Sequence, residues 1–183
     1  MKNSKDEHPE VRSMGNHGAQ LEEFFHESLK DMYWAERQLT RSIPRMIKAA
    51  TTEALKEVLN EHLEETKDQV MQLEKVFELM GRKPQAKKCE AMEGLIKEAD
   101  GLIEETDEGT MTRDVAIIMA GQKIEHYEIA TYGTLVRLAK TMGRGDVAYV
   151  LSEILDQEKE ADMTLTGVAE NNINVEAFQE VDA

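Results

Sequence analysis

A length of 183 residues is enough for one domain with its own hydrophobic core, and the formal net charge is −15. This charge argues against a nucleic-acid partner, which normally requires a basic face. No apolar run approaches the roughly 20 residues of a membrane span, and the N-terminus lacks the apolar core of a signal peptide. A single cysteine, Cys89, excludes an internal disulfide framework and favours a cytoplasmic location.

Good helix formers and a recurring helical period predict an all-α protein. Polar residues 1–18 predict a disordered N-terminal tail, residues 19–173 one domain, and 174–183 a C-terminal tail. The predicted helices are, in chain order, residues 20–50, 53–80, 88–107, 112–142 and 146–171. Two short connections predict two antiparallel hairpins, with the weak helix 88–107 in the crossover between them. This connectivity is that of a ferritin-like four-helix bundle.

Local signals refine these boundaries. Pro44 predicts a kink near residue 40, because proline removes a hydrogen bond and clashes one turn back. Thr51 and Thr52 can cap the second helix, Gly81 can end it, and Gly143 and Gly145 are expected to form the break after the fourth. Asn171 and Asn172 are expected to end the last helix.

The four long helices each interrupt their apolar stripe near the middle with polar side chains. On the fourth helix, Gly121, Glu125, Glu128, Tyr132 and Leu135 follow steps of three and four residues, so they share one face. Buried charges cost on the order of several kcal/mol each unless they are paired or bind a cation. The interruptions, in chain order, are Glu36; His62, Glu65 and Gln69; Glu125, Glu128 and Tyr132; and Glu158 and Asp162.

Hairpin geometry places these interruptions at one height. Glu36 and Glu65 are 29 residues apart, and Glu128 and Glu158 are 30 apart, as expected for partners across an antiparallel hairpin. Six carboxylates at one level cannot all stay ionised in a dry core without raised pKa values, water or cations. An oxygen-rich site with some imidazole suits iron or manganese, and suits zinc less well. The layer therefore predicts two metal ions bridged by carboxylates.

Each polar residue of the layer has an expected role. Tyr132 and Gln69 are expected to hydrogen-bond to the ligands rather than to bind metal, and Tyr132 could also be a redox group. His126 lies about 100° round the helix from its neighbour and is expected off the layer. On the fifth helix, the apolar stripe passes through either Asp162 or Ala161. For His62, the sequence leaves open whether the side chain binds metal. The predicted ligands are Glu36, Glu65, Glu125, Glu128, Glu158, Asp162 and His62.

Several segments together are typical of one known family: Tyr33–Thr40, His62–Thr66, Cys89–Ile96, Gln122–Leu135, Glu158–Asp162 with Leu165–Thr166, and Asn171–Asn174. They resemble the YciE/YciF-like bacterial stress proteins of the ferritin-like superfamily. They span about residues 20–175, and the resemblance implies a ferritin-like bundle, commonly dimeric, with a di-iron centre and a role in stress response. Ferritins and rubrerythrins carry a Glu-x-x-His motif, whereas here Asp68 and Ala161 stand at those histidine positions. A carboxylate-rich site is therefore expected, and ferroxidase activity does not carry over directly.

Three functional hypotheses follow from the sequence. The first is a di-metal protein that oxidises ferrous iron or consumes peroxide, with two iron ions or, alternatively, manganese. The second is a non-catalytic helical protein that stores metal or protects other macromolecules under stress. The third, a signalling module, requires an exposed apolar stripe that the sequence lacks. A homodimer is expected rather than a cage, with helix 88–107 as the contact face.

Overall fold

The computed structural model describes residues 17–180, and this part of the chain is helical with no strand. The all-α prediction is confirmed. No helix in this range combines the length and the apolarity that crossing a bilayer requires. The predicted tail lies outside the described residues, except that 17 and 18 already belong to the first helix. The elements are α1 (His17–Ala49), α2 (Glu53–Leu79), α3 (Glu90–Glu105), α4 (Met111–Thr141), α5 (Gly145–Val168), a π-helical segment (Ala169–Ile173) and α6 (Asn174–Gln179).

The predicted helix ends at Thr52, Gly81 and Gly143 are confirmed. The Thr52 hydroxyl accepts a hydrogen bond of 3.3 Å from the Leu55 N–H at the start of α2. Gly81 and Gly143 have φ values of 66° and 72°, a left-handed conformation that would strain a residue with a Cβ. Each glycine therefore lets the chain reverse directly after a long helix.

Two other predictions about the helices are not confirmed. Helix α1 continues past Pro44 to Ala49, so proline does not end it, and the kink near residue 40 stays a prediction. The end predicted at Asn171 is wrong, because the backbone continues helically to Gln179. The Glu180 carboxylate accepts hydrogen bonds from the first N–H groups of α4, which have no partner within that helix. This contact attaches the C-terminal segment to α4.

Two apolar clusters lie along the same four long helices, α1, α2, α4 and α5. The first includes Leu39, Leu59, Ile124 and Leu165 and also takes in residues of α3. The second includes Met32, Leu73, Tyr132 and Ile154. The boundary between the clusters falls at Glu36 in α1, His62–Gln69 in α2, Glu125–Glu128 in α4 and Glu158 in α5.

Asp114, on the first turn of α4, joins that helix to the connection between α1 and α2. Its buried carboxylate accepts hydrogen bonds from the Thr51 N–H (2.6 Å), the Thr52 N–H (2.8 Å) and the Thr52 hydroxyl (2.7 Å). Charged acceptors make the stronger class of hydrogen bond. The contact therefore fixes the first helix pair against α4.

We expect Asp114→Ala to lower the free energy of unfolding by about 2–4 kcal/mol, because two backbone N–H groups lose their acceptor. Urea denaturation measures this value. Asp107→Ala is the control, since Asp107 is exposed in the connection between α3 and α4, and its effect should stay within about 0.5 kcal/mol. Equal effects of the two substitutions would contradict this role of Asp114.

Candidate metal centre

Five titratable side chains from four helices meet at the boundary between the two apolar clusters. Glu125 and Glu128 are one turn apart on α4 and face the same side. None of the five is more than 8% exposed. They are Glu36 of α1, His62 of α2, Glu125 and Glu128 of α4, and Glu158 of α5.

These side chains form two overlapping groups. His62, Glu125 and Glu158 make one group, and Glu36, Glu128 and Glu158 make the other. Within each group, one ligand atom from every residue lies within 4.8 Å of the others. Glu158 belongs to both groups, and a carboxylate has two oxygens to offer. The geometry therefore suits two cations that share one bridging glutamate.

Most of the oxygens in these groups lack a hydrogen-bond partner. The Tyr132 hydroxyl donates to Glu36 Oε1 at 2.5 Å, and His62 Nε2 lies 3.2 Å from Glu125 Oε1. Both oxygens of Glu128 and of Glu158, and the second oxygens of Glu36 and Glu125, are buried without a partner. Unpaired buried acceptors are costly and rare in folded proteins. Carboxylate oxygens with one imidazole are a donor set that fits iron or manganese.

Burial changes the protonation of this cluster. Loss of solvation raises the pKa of Glu36 to about 7, although the Tyr132 hydrogen bond opposes the shift. Burial and the neighbouring carboxylates raise the pKa of Glu128 and of Glu158 well above the ordinary range. For His62, burial lowers the pKa, but the carboxylates of Glu125, Glu65 and Glu158 together outweigh burial and the net direction is upward. Without a cation, the cluster therefore retains protons that a solvated site would lose.

Two predicted ligands, Glu65 and Asp162, lie outside both groups. The Glu65 side chain is 44% exposed, with its carboxylate 3.8 Å from His62 Nδ1 on the outer side of the imidazole. Asp162 Oδ1 accepts a hydrogen bond from Gln122 at 3.2 Å and lies 3.4 Å from His126 Nε2. Ala161, rather than Asp162, takes the buried position on α5. His126 itself is 71% exposed.

Other contacts of the polar residues were not visible in the sequence. Gln69 is buried, but its amide donates to Gln157 at 3.2 Å rather than to a carboxylate of the cluster. Cys89 Sγ lies 3.0 Å from the Tyr127 hydroxyl, a contact that depends on how α3 packs against α4.

A Cβ on Gly121 would lie 3.1 Å from Leu165, so this glycine allows α4 and α5 to approach closely beside Glu125.

The sequence matches a family model described as a domain of unknown function (DUF892) over residues 20–178. The chain belongs to this family. It is 44% identical to protein YciF of Escherichia coli (strain K12) over 158 residues. The aligned residues cover 86% of this chain and 95% of YciF. The resemblance seen in the sequence is thereby confirmed.

Three solved structures of similar proteins share the fold. The crystal structure of the E. coli stress protein YciF aligns with a TM-score of 0.80 at 44% identity, covering 84% of this chain and 97% of YciF. YcfI of Rhodopseudomonas palustris, described provisionally as a structural protein, aligns with a TM-score of 0.79 at 39% identity, over 84% and 98% of the two chains. A protein from Xanthomonas campestris, 24% identical, aligns with a TM-score of 0.68 over 87% and 97% and shows the fold alone.

The raised pKa values predict that the metal-free protein loses stability as the pH rises. A carboxyl with a raised pKa favours folding below about 4.5, its unfolded value, and this stabilisation disappears as the pH passes the folded value, about 7 for Glu36. The raised pKa of His62 acts in the same direction above 6.5. The free energy of unfolding should therefore fall by on the order of 2–3 kcal/mol between pH 5 and 8 for Glu36 alone.

Urea denaturation in the presence of a chelator measures this slope. Glu36→Gln should reduce the pH dependence by the share that Glu36 contributes, whereas Glu53→Gln, on the exposed start of α2, should leave it unchanged. Asp146, whose pKa its Arg144 partner lowers to about 2, affects stability only at more acidic pH. A free energy of unfolding that stays constant or increases over this range would contradict the protonation of the cluster.

Proposed function

We propose that this DUF892 chain is a ferritin-like four-helix bundle that holds two iron ions, with manganese as the alternative, and acts in bacterial stress response. The observation that supports it best is the pair of three-residue groups that share Glu158. The unpartnered oxygens of the groups supply a second argument, because a cation would satisfy them. The description of the relative YciF as a stress protein supports the biological role.

The proposed reaction is the oxidation of ferrous iron or the consumption of peroxide. Two adjacent iron ions together supply the two electrons that the reduction of peroxide requires. The chain contributes ligands and a dry environment, since the five residues of the two groups are almost fully buried. Tyr132 contributes its hydroxyl, which donates to Glu36 and fixes the orientation of that carboxylate.

A second candidate is a non-catalytic protein that stores metal or protects other macromolecules. The provisional description of YcfI as a structural protein supports it. The protonation of the cluster supports it as well, because raised pKa values let the buried glutamates persist without any cation. Glu125→Ala combined with Glu158→Ala should leave a protective function intact and raise the stability of the metal-free protein.

The quaternary structure and the location in the cell are also proposals. We propose a cytoplasmic homodimer, because small helical bundles commonly bury one further helix face in a two-fold contact. Helix α3 is the candidate contact face, since it packs on α4 and leaves its other side to solvent. Analytical ultracentrifugation of the full chain distinguishes a monomer, a dimer and a cage.

We expect anaerobically purified protein to bind two ferrous ions per chain, because the two groups provide two sites. Glu158→Ala should reduce the stoichiometry to one or less, since both groups lose the shared residue. Asp162→Asn is the matched control on the same helix, and it should still bind two ions because Asp162 lies outside both groups. Elemental analysis after desalting measures all three values.

Addition of oxygen or peroxide then separates the two candidates. Repeated turnover of added ferrous iron, followed by ferric absorbance, supports the catalytic function. Stoichiometric binding without turnover supports storage. Failure of the unaltered protein to bind iron or manganese at all would refute the metal centre.

A further inference from the structure

A cleft between α2 and α5 extends from the surface to His62, one of the five residues of the candidate metal centre. Its cavity has a volume of about 90 Å³. Three of its residues, Glu61, Glu65 and Glu160, are acidic and none of the three is buried. The remaining residues that line the cleft are Val58, Leu59, His62, Ala161, Thr164 and Leu165.

The imidazole of His62 separates this cleft from the buried carboxylates. Its Nε2 lies 3.2 Å from Glu125 Oε1, inside the centre. Its Nδ1 lies 3.8 Å from Glu65 Oε2, on the cleft side, and has no hydrogen-bond partner although it is buried. The residue is only 8% exposed. One nitrogen of this side chain therefore faces the cleft and the other faces the buried carboxylates.

We propose that divalent cations reach the metal centre through this cleft, with Glu65 as the first contact and His62 as the second. The inference rests on the proposed metal-binding function. Carboxylates around a cleft with low-dielectric walls raise the local concentration of cations and their association rate. The His62 imidazole is then the next donor along the way, and it binds the cation as it releases its proton, because only a deprotonated nitrogen can ligate a metal ion. Glu65 is accordingly a transit group rather than one of the residues that hold the ion.

The opposite side of α5 carries another acidic residue near the centre, Asp162, which is already engaged by neighbouring side chains. There the Asp162 carboxylate already accepts a hydrogen bond from Gln122 and lies beside His126. Gln122 also donates to Thr166 at 2.8 Å, which ties α4 to α5 along this side. The side chains that could guide a cation therefore concentrate on the side that α5 shares with α2.

Metal exchange kinetics test the route independently of any activity. Co²⁺ is the probe, association is followed by rapid mixing with the metal-free full chain, and dissociation by transfer to excess chelator. Glu65→Gln removes one charge, Thr164→Trp narrows the cleft without a charge change, and Glu64→Gln is the control. Glu64 is exposed, pairs with Lys67 and does not line the cleft.

A transit residue lowers the barrier in both directions, so its loss slows association and dissociation together. We expect Glu65→Gln to slow both by roughly five- to tenfold, as the attraction of one charge for a dication across a few ångströms of water predicts. The Kd should change by less than about threefold, Thr164→Trp should also slow both rates, and Glu64→Gln should slow neither.

Three results would overturn the route. Faster dissociation with a weaker Kd in Glu65→Gln would make Glu65 a resident ligand. Unchanged rates in both Glu65→Gln and Thr164→Trp, with normal cobalt binding, would place the route elsewhere and leave the proposed function standing. No cobalt binding by the unaltered chain would refute the proposed function and the route together.

Discussion

The burial of four carboxylates at one level of a helical core is the constraint on which the rest of the structure depends. Glu36, Glu125, Glu128 and Glu158 are almost fully buried, and they share few donors, notably the Tyr132 hydroxyl and the His62 imidazole. Like charges at this distance in a dry core repel strongly. The cluster must therefore hold protons or bind cations, and both states follow from the same geometry.

Apolar packing and hydrogen bonds at the ends of the helices offset the free-energy cost of burying these carboxylates. Apolar residues lie on both sides of it along all four long helices, so the polar layer is enclosed rather than open to solvent. Asp114 fixes the first helix pair to α4, and Glu180 fixes the C-terminal segment to the same helix. Gly121 allows α4 and α5 to approach beside Glu125. The helices are thereby held in the register that brings the carboxylates together.

Local signals in the sequence were sufficient to predict the long helices and part of the buried carboxylate cluster. Thr52, Gly81 and Gly143 determine helix ends through capping and left-handed backbone, which are local effects. The interruption of four apolar stripes at one height predicted the polar layer. The end of the last helix could not be predicted, because it depends on the contact between Glu180 and α4.

The finer placement of side chains depends on small rotations of each helix. Helical spacing on α5 fits either Asp162 or Ala161, and packing selects Ala161 for the core. On α2, the same stripe contains His62 and Glu65, yet only His62 reaches the buried groups. The contact between Cys89 and Tyr127 had no signal in the sequence, since it requires α3 to lie against α4. Sequence periodicity thus identifies a layer but does not assign its ligands.

Anomalous scattering from crystals of the chain grown with ferrous iron or manganese tests the central claim most directly. Two bound ions should give two anomalous peaks, one beside His62 and Glu125 and one beside Glu36 and Glu128, with Glu158 contacting both. A buried cluster without any peak, or a single peak at Glu65 or Asp162, would contradict it.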